Sequence, residues 1–222
     1  MTTKHNYRRH CLFAFGGLFL LLYWLIAIES PGTSRAAASS PTESQTGPSA
    51  RILVAYYSRT GNTEQMAQGV VGGAKGIPGV IVILKKVADV SKEDLEAADG
   101  IILGCPTYFA NIPGEMKTII DDWNWKMKVD FTDKVGGAFA TAGGQVGGQE
   151  HVVVSLLMFM LHNRMVVAGP LYRNEKTGSV WAESGAAAIT GPLDQGVGEK
   201  ELDGAKKLGR RIAALAVKFK GT

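Results

Sequence analysis

Three short segments carry residue types that could hold a ligand. Ser58-Arg59-Thr60-Gly61-Asn62-Thr63 groups three hydroxyls around a glycine at the head of a helix-like run. Backbone N–H groups at a helix N-terminus attract anions, so this segment suits a terminal phosphate, although a plain Ser/Thr-rich helix cap has the same composition. It has neither the spacing nor the lysine of a nucleotide-hydrolysing P-loop. The second segment is Cys105-Pro106-Thr107-Tyr108-Phe109-Ala110-Asn111-Ile112-Pro113. Its two prolines stiffen the chain, and Tyr108 and Phe109 could wall a flat aromatic ligand, unless Phe109 packs beneath its own loop. The third, Thr141-Ala142-Gly143-Gly144-Gln145-Val146-Gly147-Gly148-Gln149-Glu150, has four glycines and no aromatic residue. Its backbone can approach a ligand closely and bond it through the main chain, leaving one face of that ligand open.

These segments need a scaffold that brings them together. Residues 52–57, 80–84, 100–104, 135–141 and 165–168 are apolar runs of strand length. Helix-like runs separate them at residues 63–74, 113–125 and 150–162, and Ser91 heads a short acidic helix. Residues 199–219 end the pattern, with Leu202, Ala205, Leu208, Ile212, Leu215 and Phe219 on one stripe. Alternation of this kind predicts an α/β fold, a doubly wound five-stranded parallel sheet. Right-handed crossovers place every strand C-terminus, and so all three segments, on one edge.

Residues 12–28 form an uncharged apolar run preceded by Lys4, Arg8 and Arg9. As a helix it would span roughly 25 Å, close to a hydrocarbon core of about 30 Å. The expectation is an N-terminal transmembrane or signal helix: a signal anchor, a peptide cleaved near Ala36-Ala37-Ala38, or a twin-arginine export signal marked by Arg8-Arg9. The expected location is therefore the inner membrane or, after export, the periplasm. Residues 29–50 are Ser-, Thr-, Ala- and Pro-rich and read as a flexible linker, leaving residues 51–222 as the folded domain.

With 45% hydrophobic and 20% charged residues, the chain can bury a core. Four Lys/Arg face two Asp/Glu before residue 51 and twenty face eighteen after it, so no basic face suggests nucleic acid. Cys11 and Cys105 are the two cysteines, which excludes a disulfide framework and any multi-cysteine metal site.

In this order and on these strands, the three motifs resemble the flavodoxin-like FMN proteins, and most closely the WrbA-type NAD(P)H:quinone oxidoreductases. P-T-Y-F-A-N and G-G-Q-V-G-G-Q-E carry the resemblance, which extends through Gly185-Ala186 to Thr190-Gly191-Pro192. It implies that residues 58–63 cradle the FMN phosphate, that residues 106–111 line the isoalloxazine, and that residues 141–146 bind the ring's polar edge. It also implies a flavin-side histidine at His162, NAD(P)H as co-substrate, a quinone acceptor and a homotetramer.

The expected activity is two-electron transfer from NAD(P)H to quinones, with His162 and Tyr108 as candidate catalytic residues. The alternative is a membrane-tethered flavodoxin-type electron carrier, favoured by S-R-T-G-N-T, where Thr60 replaces the reductases' usual aromatic residue. The aromatic-free third segment and near-neutral domain favour the enzyme, because an open ring face lets two substrates stack in turn. A flavin-free binding module is the third possibility.

Overall fold

The computed structural model describes residues 49–171, 184–191, 193 and 195–221. The apolar run at residues 12–28 and nearly all of the tether lie outside them. Among the described residues, no helix is long and apolar enough to cross a membrane.

The folded region starts one residue before Arg51, with β1 (Ala50–Tyr56), followed by α1 (Asn62–Lys75) and β2 (Val80–Lys86). A single 3-10 turn (Val87–Asp89) leads to α2 (Lys92–Ala97), then β3 (Gly100–Pro106), α3 (Gly114–Trp125), β4 (Val135–Ala142) and α4 (Gln149–His162). β5 (Val166–Val167), β6 (Ala186–Ile189) and α5 (Glu199–Lys220) complete the order. All pairings are parallel, in the order β2-β1-β3-β4-β5, with β6 also on β4. β1, β3 and β4 are almost entirely apolar, Arg51 and Thr141 aside, because helices cover both faces.

Among the described residues the five expected strands are six. Residues 165–168 shrink to the two-residue β5, which pairs with Val135 and Gly136 at the start of β4. β6 pairs with Phe139 to Ala142 at its end. Because β3 occupies the other side of β4, the two short strands share one lateral position. The sheet is five positions wide, and its fifth strand is interrupted. β6 escapes sequence reading because Ala186, Ala187 and Ala188 lack the branched side chains that mark strands.

One face is packed by α2, α3 and α4 around Trp123, Phe131 and Leu103. The other is packed by α1 and α5 around Met66, Phe139, Leu208 and Ile212. The two helices of the second face meet backbone to backbone. A Cβ on Gly73 would lie 1.8 Å from the Lys206 carbonyl oxygen, and one on Gly209 would lie 1.9 Å from that of Val70.

Ser91 caps α2 in a full capping box: its hydroxyl accepts from Asp94 N–H, and the Asp94 carboxylate accepts from Ser91 N–H. Asp94 also pairs with Lys85 at 2.6 Å. Burial disfavours the carboxylate, but Lys85 and the Ser91 N–H outweigh it and hold Asp94 below the usual range. Asp94→Ala is expected to cost about 1 kcal/mol in urea unfolding at neutral pH. A lowered pKa stabilises the fold above the ordinary aspartate value, and that stability fades as pH falls through the lowered one. The difference between variant and parent should therefore shrink in acid; a pH-independent difference would contradict it.

Candidate active site

The three loops meet at the C-terminal edge of the sheet. Loop 1 (residues 57–61) enters α1 through Gly61, whose φ of 99° is left-handed and open to glycine at no steric cost. No side chain caps α1. The Gly61 N–H donates to the Ser58 hydroxyl at 3.1 Å, and Asn62 Nδ2 donates to Thr60 Oγ1 at 3.2 Å, which curls the loop around the helix start. Arg59 and Thr60 are exposed. Thr63 is buried and its hydroxyl lies 2.8 Å from that of Thr141, tying loop 1 to the end of β4.

Loop 2 (residues 107–113) is held to β4 by the Thr107 N–H, which donates to the Thr141 carbonyl at 2.7 Å. It then makes a two-residue hairpin: Tyr108 and Asn111 exchange backbone bonds of 3.0 and 2.9 Å. Phe109 (φ 50°) and Ala110 (φ 62°) occupy its centre. Such turns normally use Asn-Gly, so this pair stores backbone strain. The hairpin holds Phe109 fully in solvent instead of beneath its own loop.

Loop 3 (residues 143–148) ends at Gly148, the left-handed N-cap of α4, again without a side-chain cap. Gly148 lies against Ala110, joining loop 3 to loop 2. Gly143, Gly144, Gln145 and Val146 are exposed. Gln149 is buried, and its Nε2 donates to the Gln145 carbonyl at 3.3 Å. A fourth segment joins them: the Thr190 N–H donates to the Ala142 carbonyl at 2.9 Å. Thr190 is not among the sequence-derived site residues because β6, which delivers it, has no sequence signature.

The orphaned polar atoms indicate what this edge is built for. Thr107 Oγ1 and Gln149 Oε1 at this edge, like Trp123 Nε1 in the core, are buried without a hydrogen-bond partner. Native proteins rarely leave such groups unpaired, and around a site they await a ligand. Two uncapped helix N-termini, α1 for a phosphate and α4 beside a glycine loop, fit a ligand with an anionic tail and a flat polar-edged ring.

Of the two expected catalytic residues, His162 lies away from the three loops and Tyr108 lies within loop 2. His162 is the last residue of α4, which runs from the loop edge back along β4; fourteen residues of helix cover roughly 20 Å. β5, which follows, pairs with the first residues of β4. His162 is therefore exposed at the opposite edge of the sheet, and this chain does not bring it to its own loops. Tyr108 is in loop 2, but its ring packs edge-on against Tyr57, centroids 6.3 Å apart, with the hydroxyl buried. Tyr57 donates to Glu115 Oε1 at 3.3 Å, and its own hydroxyl is pushed up to about 12 by burial, then by Tyr108 and Glu115. Cys105 is wholly buried, which pushes its thiol up to about 12 and removes it as a nucleophile. No cluster of metal-ligating side chains occurs among the described residues.

The doubly wound parallel sheet, with its ligand loops gathered at one edge, defines a flavodoxin-like α/β protein. A WrbA-like flavodoxin from Agrobacterium tumefaciens superposes with a TM-score of 0.59 at 22% identity, covering 77% of this chain and 99% of that one. An archaeal flavodoxin matches at 0.59 and 23% identity, covering 75% and 98%. A family profile described as NADPH-dependent FMN reductase matches residues 84–177. A protein named NAD(P)H dehydrogenase (quinone) from Geotalea daltonii is 31% identical over 203 residues, covering 76% of this chain and 98% of its own. Its namesake from Geobacter sulfurreducens is 30% identical over 204 residues, covering 77% and 99%. The chain belongs to the WrbA-type NAD(P)H dehydrogenase (quinone) family of flavodoxin-like proteins.

Proposed function

We infer that the protein is an FMN-dependent NAD(P)H:quinone oxidoreductase. The observation that carries this reading is the open third loop: Gly143 to Val146 are exposed and lack an aromatic cover, on a chain whose relatives of similar length bear that name. FMN held at this edge by residues 58–63, 106–111 and 141–146 would supply the hydride-accepting chemistry that links NAD(P)H to a quinone. Residues 58–63 hold its phosphate through the α1 N-terminus. Thr107, Gln149 and the backbone of residues 141–146 would border its ring edge, and the N–H groups of the exposed residues 143–146 would favour the negative charge of the reduced ring. Loop 2 orients the ring, with Tyr108 braced by Tyr57 acting as a wall instead of a proton donor. The exposed face above loop 3 admits nicotinamide and quinone in turn.

The test is anaerobic mixing of the yellow, purified protein with NADH or NADPH. Rapid bleaching, reversed by a quinone, supports the reductase. Stable colour supports the electron carrier suggested by S-R-T-G-N-T, and a colourless protein that ignores added FMN rules out both.

His162 enters the reaction only from a second copy of the chain. Val154, Met158 and Leu161 form an exposed apolar stripe on α4 beside it, the kind of surface that a homo-oligomer covers. The run at residues 12–28 directs the chain to the membrane, and Lys4, Arg8 and Arg9 favour a cytoplasmic N-terminus with the domain outside. Export by the twin-arginine route would carry the domain out with its cofactor already inserted. A domain outside would need a membrane donor in place of cytoplasmic NAD(P)H. Protease treatment of intact spheroplasts decides the side: digestion places the domain outside, and protection places it with the nucleotide pool.

A further inference from the structure

A cavity of about 370 Å³ opens between the ends of β1 and β2 and the first turns of α3. Tyr56, Tyr57, Val87, Ala88 and Ile119 line it, and Ser58, Lys86 and Glu115 bring polar groups to it. Its size falls within the usual range for small-molecule pockets. None of the flavin-loop assignments uses it beyond Ser58, yet it adjoins two of those loops. Ser58 belongs to both the cavity and loop 1, and Tyr57 passes from the cavity wall to the Tyr108 ring of loop 2. A molecule whose reactive head lies at the loop edge can therefore extend a substituent into it.

The lining selects the chemistry of that substituent. The Glu115 carboxylate, bonded by the Tyr57 hydroxyl, stands on the wall and repels phosphate groups. Lys86 is exposed, and its long stem can reach solvent. What remains is aliphatic and aromatic surface, which favours a neutral hydrocarbon over the charged half of a dinucleotide. We propose that this cavity binds the apolar tail of a prenylated quinone whose head is reduced at the loop edge. The inference rests on the quinone reductase reading and specifies the substrate class as lipophilic. It agrees with the membrane-directed run at residues 12–28.

The test uses the full-length, FMN-loaded protein and benzoquinones with one common head carrying no tail, one isoprenyl unit or two. The parent protein is expected to gain about tenfold in kcat/KM from the tail-less to the diprenyl quinone. Ala88→Trp and Ile119→Trp fill the cavity from two different elements. In both, that gain should vanish, while FMN affinity and kcat/KM for the tail-less quinone stay within about twofold. Calorimetric titration with the oxidised quinones should rank them in the same order, with a negative heat-capacity change for the tail that both variants lose. No tail preference in the parent, or the same preference in both variants, overturns the proposal. So does a rise in KM for NAD(P)H with quinone kinetics unchanged, which would assign the cavity to the donor. A parent that reduces none of the quinones refutes the underlying reductase reading instead.

Discussion

Gly148→Ala is expected to purify nearly colourless while remaining folded. Gly148 has a φ of 89°, where an alanine costs about 1–2 kcal/mol. The added Cβ would also stand 2.5 Å from Ala110 Cβ and 2.7 Å from Ala110 Cα. Neither atom is the flexible end of a long side chain, so the Tyr108–Asn111 hairpin must move as a unit. That hairpin and the start of α4 form adjoining walls of the ring site, and a displacement of about 1 Å in a positioned site can cost roughly a hundredfold. FMN affinity, followed by fluorescence quenching on titration, should fall at least tenfold. The local strain alone should lower the melting temperature by only about 2–8 °C. Unchanged FMN affinity would show that loops 2 and 3 do not jointly hold the ring.

The second large effect lies away from the ring, where α1 crosses α5. Gly73→Ala and Gly209→Ala each drive a methyl group into the facing helix's backbone, at 1.8 and 1.9 Å from a carbonyl oxygen. The helices can accommodate it only by separating, which opens the packing of Met66, Val70, Leu208 and Ile212. The expected cost is about 3 kcal/mol each, a drop in melting temperature of roughly 6–12 °C. Gly72 is the internal control. It is exposed on the same helix with nothing within 4 Å of an added Cβ, so Gly72→Ala should be neutral or stabilising by up to about 1 kcal/mol. Equal losses at Gly72 and Gly73 would show that helix propensity is not the relevant variable and that the crossing is not as close as described.

Continuous apolar runs made β1, β3 and β4 legible in the sequence, because a strand buried on both faces has no polar alternation to confuse it. The loops were legible because glycine, proline and hydroxyl residues gather where backbone must turn and meet a ligand. What stayed hidden depends on tertiary register. Thr63 and Thr141 are seventy-eight positions apart, and no local pattern announces that their hydroxyls touch. The contact of Gly73 with Lys206 is equally non-local. His162 is a site residue by resemblance alone; it ends α4, whose first residues, not its last, adjoin the loops. Tyr108 is in the expected loop, but the side of the hairpin that its ring takes is set by Tyr57, a neighbour across the sheet edge.

The interrupted strand beside β4 holds the two ends of that strand separately. β5 and β6 are each anchored independently to β4, one at Val135–Gly136 and the other at Phe139–Ala142. Each half is held by its own backbone pairing, so the register of one does not depend on the other. Thr190 is delivered by the second half, next to loop 3. A slip in the register of β5 would therefore leave Thr190 and the cofactor edge where they are.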